Sequence, residues 1–179
     1  MRILALDLGR RFGWCRGEAG TIPESGSDTL RSPDDPNGLA LGALARWIRD
    51  SVREHGKPDL MIAEHWLPPA GQKHSAIIED SLRMNGACHA IAGVYGITVL
   101  EPYAQTVRFV VCGRANVPGE SVRAGKKLSN TKLMVIDNVI LRGMLPKGNL
   151  DHDRADAIAL WIWAESVHAR MAPKTFALT

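Results

Sequence analysis

Two apolar runs, residues 3–6 (ILAL) and 60–63 (LMIA), are unbroken, too short for helices, and each stops on or beside an acid. A continuous run of four apolar residues bounded by turn formers is the pattern of a strand covered on both faces. The first run ends at Asp7 and the second at Glu64. An ionised carboxylate closing a buried strand is costly unless a cation sits beside it. In open sheets, ligands bind beyond the carboxyl ends of parallel strands. If the two strands are parallel neighbours, Asp7 and Glu64 share one edge. Asp7 then either caps the turn that follows it or holds a metal ion.

The remaining punctuation gives the architecture. A hairpin strand at residues 13–16 follows Gly9. The turn-rich stretch 20–37 has room for one short strand. Leu41, Leu44, Ala45, Ile48 and Val52 form one helical stripe within 39–55. Residues 75–95 are a long helix and 97–100 a third buried strand. Pro102 opens a helix to about Val111, with proline in its accustomed first turn. Residues 113–128 are glycine-rich and basic, a mobile loop by composition. Helices at 130–142 and 153–170 close a single domain over 1–170, with 171–179 a frayed tail. Strands first, then strands alternating with helices, predict an α/β fold: a mixed five-stranded sheet flanked by helices on both faces.

A third acidic element lies in "LDHDRADAIALWIW". Asp153 and Asp156 are three apart and face one side of a helix's first turn. Leu160, Trp163 and Val167 continue that face toward the sheet. Capping accounts for Asp151 or Asp153, because helix starts favour aspartate. It does not account for Asp7 and Glu64. Four clustered carboxylates repel one another, and hard divalent cations that take oxygen ligands, Mg²⁺ or Mn²⁺, remove that cost. Two such ions a few ångströms apart make a phosphodiester-cleaving site.

The net charge of +3 is unevenly spread. Residues 102–150 hold eight Lys and Arg against Glu120 and Asp137, so the rest of the chain is acidic. A basic segment beside an acidic body points to a polyanion. The three cysteines, Cys15, Cys88 and Cys112, have neither zinc nor disulfide spacing, which fits a reducing cytoplasm. No run is long and apolar enough for a membrane span. Hydroxyl and thiol nucleophiles lack an evident base partner, which argues against covalent catalysis.

In order and spacing these motifs resemble the RuvC family of Holliday junction resolvases, within the ribonuclease-H-like superfamily. "ILALDLGRRFGW" is similar to that family's first strand, aspartate and hairpin, and "DLMIAEHW" to its strand-borne glutamate. "SLRMNGACHAIAG" resembles the helix that follows. "EPYAQTVRFVVCGR" resembles its Tyr-Ala and basic segment, and "DHDRADAIAL" its final acidic pair. The resemblance implies a ribonuclease-H-like fold. It implies two Mg²⁺ ions held by Asp7, Glu64, Asp153 and Asp156, with Mn²⁺ substituting, and His152 a neighbour of the pair. It implies a structure-selective endonuclease that makes paired symmetrical nicks in four-way DNA junctions as a homodimer, alongside a branch-migration helicase. Lys132, with Lys127 as the alternative, takes the place of the lysine near the scissile phosphate. Arg108 matches a DNA-contacting lysine. Trp66 stands near the family's aromatic wedge and either stacks on a base or packs on the core. Lys73, Arg114, Arg123 and Lys126 complete the expected DNA contacts, with His74 beside them. Ile77, Ile78, Leu82 and Ala90 are candidates for a dimer face or for core.

Two other functions fit parts of the pattern. One is a ribosomal-RNA-processing nuclease of the YqgF type. The other is a non-catalytic module that binds branched DNA. "LDLGRRFGW" is also similar to a phosphate loop of sugar kinases, but the chain has no room for their second lobe and no P-loop consensus.

Overall fold

The computed structural model of the chain describes residues 1–30, 37–65 and 76–168. A five-stranded sheet runs in the order β3-β2-β1-β4-β5. Its strands are β1 (Arg2–Asp7), β2 (Arg11–Glu18), β3 (Glu24–Thr29), β4 (Leu60–Ala63) and β5 (Thr98–Leu100). β1 and β2 form an antiparallel hairpin, and β3 extends it antiparallel to β2. β4 is parallel to β1, and β5 parallel to β4. The expected mixed sheet is therefore present, with β2 beginning at Arg11 rather than Gly13.

Side chains alternate across a strand, so each face of the sheet collects every second residue. Leu4, Leu6, Phe12, Met61 and Ala63 face one way, with α1 (Asn37–His55) and α2 (Ala76–Tyr95) over them. Leu44 and Ile48 of the predicted α1 stripe are fully buried there. Each such aliphatic side chain stabilises the fold by roughly 1.5–3 kcal/mol on burial. Ile3, Ala5, Cys15, Leu60 and Ile62 face the other way. Over them lie α3 (Ala104–Cys112), α4 (Asn130–Leu141) and α5 (His152–His168).

α5 departs from the one-faced helix expected of it. Ala157 through Glu165 are all buried, whereas Val167 is 48% exposed. The sheet covers one side of α5 while α3 and α4 cover others, so the helix is apolar all round and its period carries no facing signal. Asp151 is its N-cap, accepting a hydrogen bond from the Arg154 amide at 3.2 Å. That leaves Asp153 and Asp156 for other duties. α3 starts at Ala104, two residues past Pro102, and ends on Gly113 with φ of 74°. Among the described residues no helix is long and apolar enough to cross a membrane.

The expected mobile loop at 113–128 is structured in its second half. Strands β6 (Glu120–Arg123) and β7 (Lys126–Ser129) pair antiparallel around the two-residue turn Ala124-Gly125. Both turn residues have positive φ, 48° and 76°, as a type I′ hairpin turn needs. The usual Asn-Gly or Asp-Gly signature is missing because alanine takes the first position, and the hairpin is correspondingly hard to see in the sequence. β7 runs directly into α4, whose N-cap Ser129 accepts from the Lys132 amide at 3.3 Å.

Candidate active site

The parallel register of β1 and β4 aligns Leu6 with Ala63. Asp7 and Glu64 are the next residues of each strand, so they stand side by side at the carboxyl edge. Parity fixes their direction. Asp7 follows Ile3 and Ala5 at steps of two, and Glu64 follows Leu60 and Ile62. Both acids therefore share the sheet face that carries α5. Asn85 of α2 steadies this edge, donating from Nδ2 to the Glu64 main-chain oxygen at 3.2 Å.

On its other side Asp7 pairs with Gly13 of β2. The start of α5 rests against Gly13. A Cβ added there would overlap the Asp153 carbonyl oxygen and crowd the Arg154 amide nitrogen at 3.0 Å. Main chain thus touches main chain where helix meets sheet, and this brings Asp153 and Asp156 to the edge that holds Asp7 and Glu64.

The electrostatics record the convergence. Asp7 has its pKa raised well above the usual range, by burial first and then by the charges of Asp156, Glu64 and Asp153, with Lys132 opposing. Glu64 is pushed up to about 7, by burial and then Asp156, against the pull of Arg108. Asp156 is pushed up to about 6, chiefly by burial, with Arg108, Lys132 and His152 opposing and Asp153 adding to the rise. Asp151 behaves oppositely. Despite partial burial, hydrogen bonds from Ser27 and the Arg154 amide, and the Arg11 guanidinium, hold its pKa below the usual range. Asp156 and Glu64 thus oppose the ionisation of Asp7, and Asp156 that of Glu64, a crowding of carboxyl groups that a hard cation would relieve.

Asp153 is already engaged. His152 Nδ1 lies 2.9 Å from its Oδ1, and Arg11 Nε lies 3.0 Å from its Oδ2. Lys132 Nζ stands 3.3 Å from both ring nitrogens of His152. Among the described residues, no three acidic, histidine or cysteine side chains stand close enough together to hold a metal ion as they are placed. The fit to divalent cations rests on donor type and electrostatics: hard oxygen ligands, crowded and partly protonated in the absence of a counter-charge.

No protein-family model matches the chain, and no curated protein matches it significantly in sequence. Solved structures do match. The chain superposes on Thermus thermophilus RuvC with a TM-score of 0.65, at 18% identity over 98% of this chain and 99% of that one. The same protein in complex with a Holliday junction substrate gives 0.66, at 16% identity over 98% and 99%. The yeast mitochondrial Holliday junction resolvase gives 0.56, at 13% identity over 92% and 79%.

The chain has the RuvC fold.

Against that fold, the sequence-based candidates separate into groups. Asp7, Glu64, Asp153 and Asp156 come together at one sheet edge, with Lys132 and Arg108 acting electrostatically on them. Of the two candidate lysines, Lys132 is the one beside the acids. Lys127 lies out on the β6–β7 hairpin, 2.5 Å from Glu120. Arg123 on the same hairpin is paired with both oxygens of Asp137. Arg114 and Lys126 are exposed. Trp66, Lys73 and His74 lie outside the described residues. On α2, Leu82 is 55% exposed and Ala90 is also at the surface, so neither is core, while the side chains of Ile77 and Ile78 are outside the described set.

Arg11 escaped the sequence reading. The signal was available: Arg11, Gly13 and Cys15 alternate along β2, so Arg11 shares the face that meets α5. His65 and His89 flank Glu101 at 3.6 and 3.1 Å.

Proposed function

We propose that this protein is a Mg²⁺-dependent, structure-selective endonuclease that resolves four-way DNA junctions. The observation that carries the reading is the placement of Asp7, Glu64 and Asp156 at one buried edge, where Asp156 and Glu64 raise the pKa of Asp7 and Asp156 that of Glu64, with Lys132 and Arg108 beside them. The RuvC fold and the junction-bound neighbour support the choice of substrate. Asp7, Glu64, Asp153 and Asp156 are the residues that would hold the cations. Bound Mg²⁺ would supply Lewis-acid activation of the phosphate and of the attacking water. Lys132 and Arg108 bring positive charge to the negative phosphate as it gains charge in the transition state. The residues of β1, β4 and α5 hold the acids on rigid elements, which keeps that geometry pre-organised.

Two copies of the chain would cut two symmetrical strands. The exposed side of α2 supports a pairing face, with Leu82 at 55% and Val94 at 83% exposure. The basic surface carried by Arg114, Lys126 and the α3–α4 region supports polyanion binding.

The test is cleavage of a labelled mobile four-way junction, a linear duplex and a single-stranded RNA, each with Mg²⁺ or EDTA. Paired nicks in the junction, only with Mg²⁺, are expected. Asp7→Asn should abolish cutting and leave junction binding in EDTA intact, because the basic surface remains. Cleavage of RNA with an untouched junction would replace this reading with the RNA-processing one. Binding without cleavage under any metal would leave a non-catalytic module.

A further inference from the structure

A further cation stands beside the acids, the guanidinium of Arg11. Its Nη2 lies 2.7 Å from Asp151 Oδ2 and 2.6 Å from Ser27 Oγ, while its Nε lies 3.0 Å from Asp153 Oδ2. The two acids depend on it unequally. Asp151 also accepts from Ser27 Oγ at 2.6 Å and from the Arg154 amide, so it stays satisfied without Arg11. Among the described residues, Asp153 would keep His152 as its paired cation. Arg11 is 54% exposed at its side chain and Asp153 17%, so the guanidinium covers the carboxylate from the solvent side.

Beside this pair opens a cleft of about 530 Å³, lined by Arg11, Lys126, Lys127, His152 and Asp153 among others. It is large enough for a phosphate with its sugar. Lys126 and Lys127 reach it from β7, Lys127 while paired with Glu120, and Asp151 lines it beside Asp153.

We propose that Arg11 and this cleft form a DNA-phosphate subsite, and that its occupation draws Arg11 away from Asp153 and frees that carboxylate for metal. Without DNA, Arg11 is the resident counter-charge of Asp153 and competes with the divalent cation. When a backbone phosphate enters the cleft, the planar guanidinium finds a bidentate anionic partner. The guanidinium is half exposed, so solvent already screens its hold on Asp153 and Asp151, and the incoming phosphate replaces them as its anionic partner. Metal is thereby held tightly at the Asp153 end only when substrate is present. The proposal rests on the metal-dependent reading given above.

Arg11→Gln separates the possibilities. Free Mn²⁺, followed by electron paramagnetic resonance without DNA, should bind this variant about fivefold more tightly than wild type, the worth of one exposed ion pair. Junction binding in EDTA should lose about 0.9 from its log–log salt slope, one phosphate contact. Arg11→Lys keeps the charge and should stay near wild type in Mn²⁺ affinity. Circular dichroism melting confirms that each variant is folded. Unchanged or weaker Mn²⁺ binding by folded Arg11→Gln, with wild-type binding still sensitive to Asp7→Asn, would overturn the competition while leaving the metal site standing. An unchanged salt slope would overturn the phosphate hand-over. Wild-type protein that binds no Mn²⁺, or binds it independently of Asp7, would remove the metal reading itself and this proposal with it.

Discussion

Replacing Glu64 with glutamine should make the metal-free protein more stable, the reverse of what deleting a buried charge in a satisfied pair would do. The carboxyl group of Glu64 is raised from 4.5 to about 7 in the folded protein. At low pH it is protonated in both folded and unfolded states and contributes nothing. Between about pH 4.5 and 7 the unfolded chain ionises first, so the folded state loses stability as pH rises. Above that window the penalty is complete, roughly 3 kcal/mol at 1.36 kcal/mol per unit. Glutamine has the same shape, needs no ionisation, and leaves the Asn85 contact to the main-chain oxygen in place. Urea unfolding in EDTA at pH 8 should therefore show Glu64→Gln more stable by an amount of that order, with the gain gone by pH 4. Adding Mg²⁺ should stabilise wild type and largely cancel the difference. A variant less stable than wild type at pH 8 in EDTA would refute the claim that Glu64 is held against repulsion and desolvation.

Further outcomes follow from the backbone. Gly13→Ala should cost about 3 kcal/mol or more, the upper end for overpacking, because the obstacle is the Asp153 carbonyl rather than a side chain that can turn aside. It should also weaken Mn²⁺ binding. Gly38→Ala in α1, where an added Cβ meets nothing within 4 Å, should be neutral or stabilising, and a wild-type melting temperature for Gly13→Ala would refute the close approach. Ala124→Gly should stabilise the β6–β7 turn by about 1 kcal/mol by relieving a left-handed alanine, measured as slower amide exchange across β6 and β7. Unchanged exchange would refute the strained turn.

The parts of this molecule legible in its sequence are those where one residue type leaves little choice. Asp7 and Glu64 ending apolar runs located both the strands and the edge they share, since a carboxylate closing a buried strand is seldom without purpose. α1 was legible because Leu44 and Ile48 lie on a helix with one wet side. α5 was legible as a helix but not in its facing, because neighbours bury it on several sides and erase the period. The β6–β7 hairpin hid behind alanine at a position that normally announces itself with asparagine or aspartate. The choice between Lys127 and Lys132 depended on that hairpin: once β7 is paired with β6, Lys127 is turned toward Glu120, and Lys132 on α4 is left beside His152. The alternation of β2 gave the face of Arg11 but not its acidic partners, which lie 140 and 142 residues away, a separation no local pattern spans.

The contact of Gly13 with the first turn of α5 makes main-chain thickness the gauge of the site. Side chains between a helix and a sheet can be exchanged, repacked and re-rotamered, and each exchange moves the helix a little. Peptide groups have one thickness whatever sequence surrounds them. A site whose spacing is set by glycine against a carbonyl can keep its registration while almost every other packed residue is replaced. That freedom fits a chain sharing 18% of its residues with a protein whose fold it matches from end to end. For anyone redesigning this scaffold, the apolar layers are the place to substitute, and Gly13 is a position to leave alone.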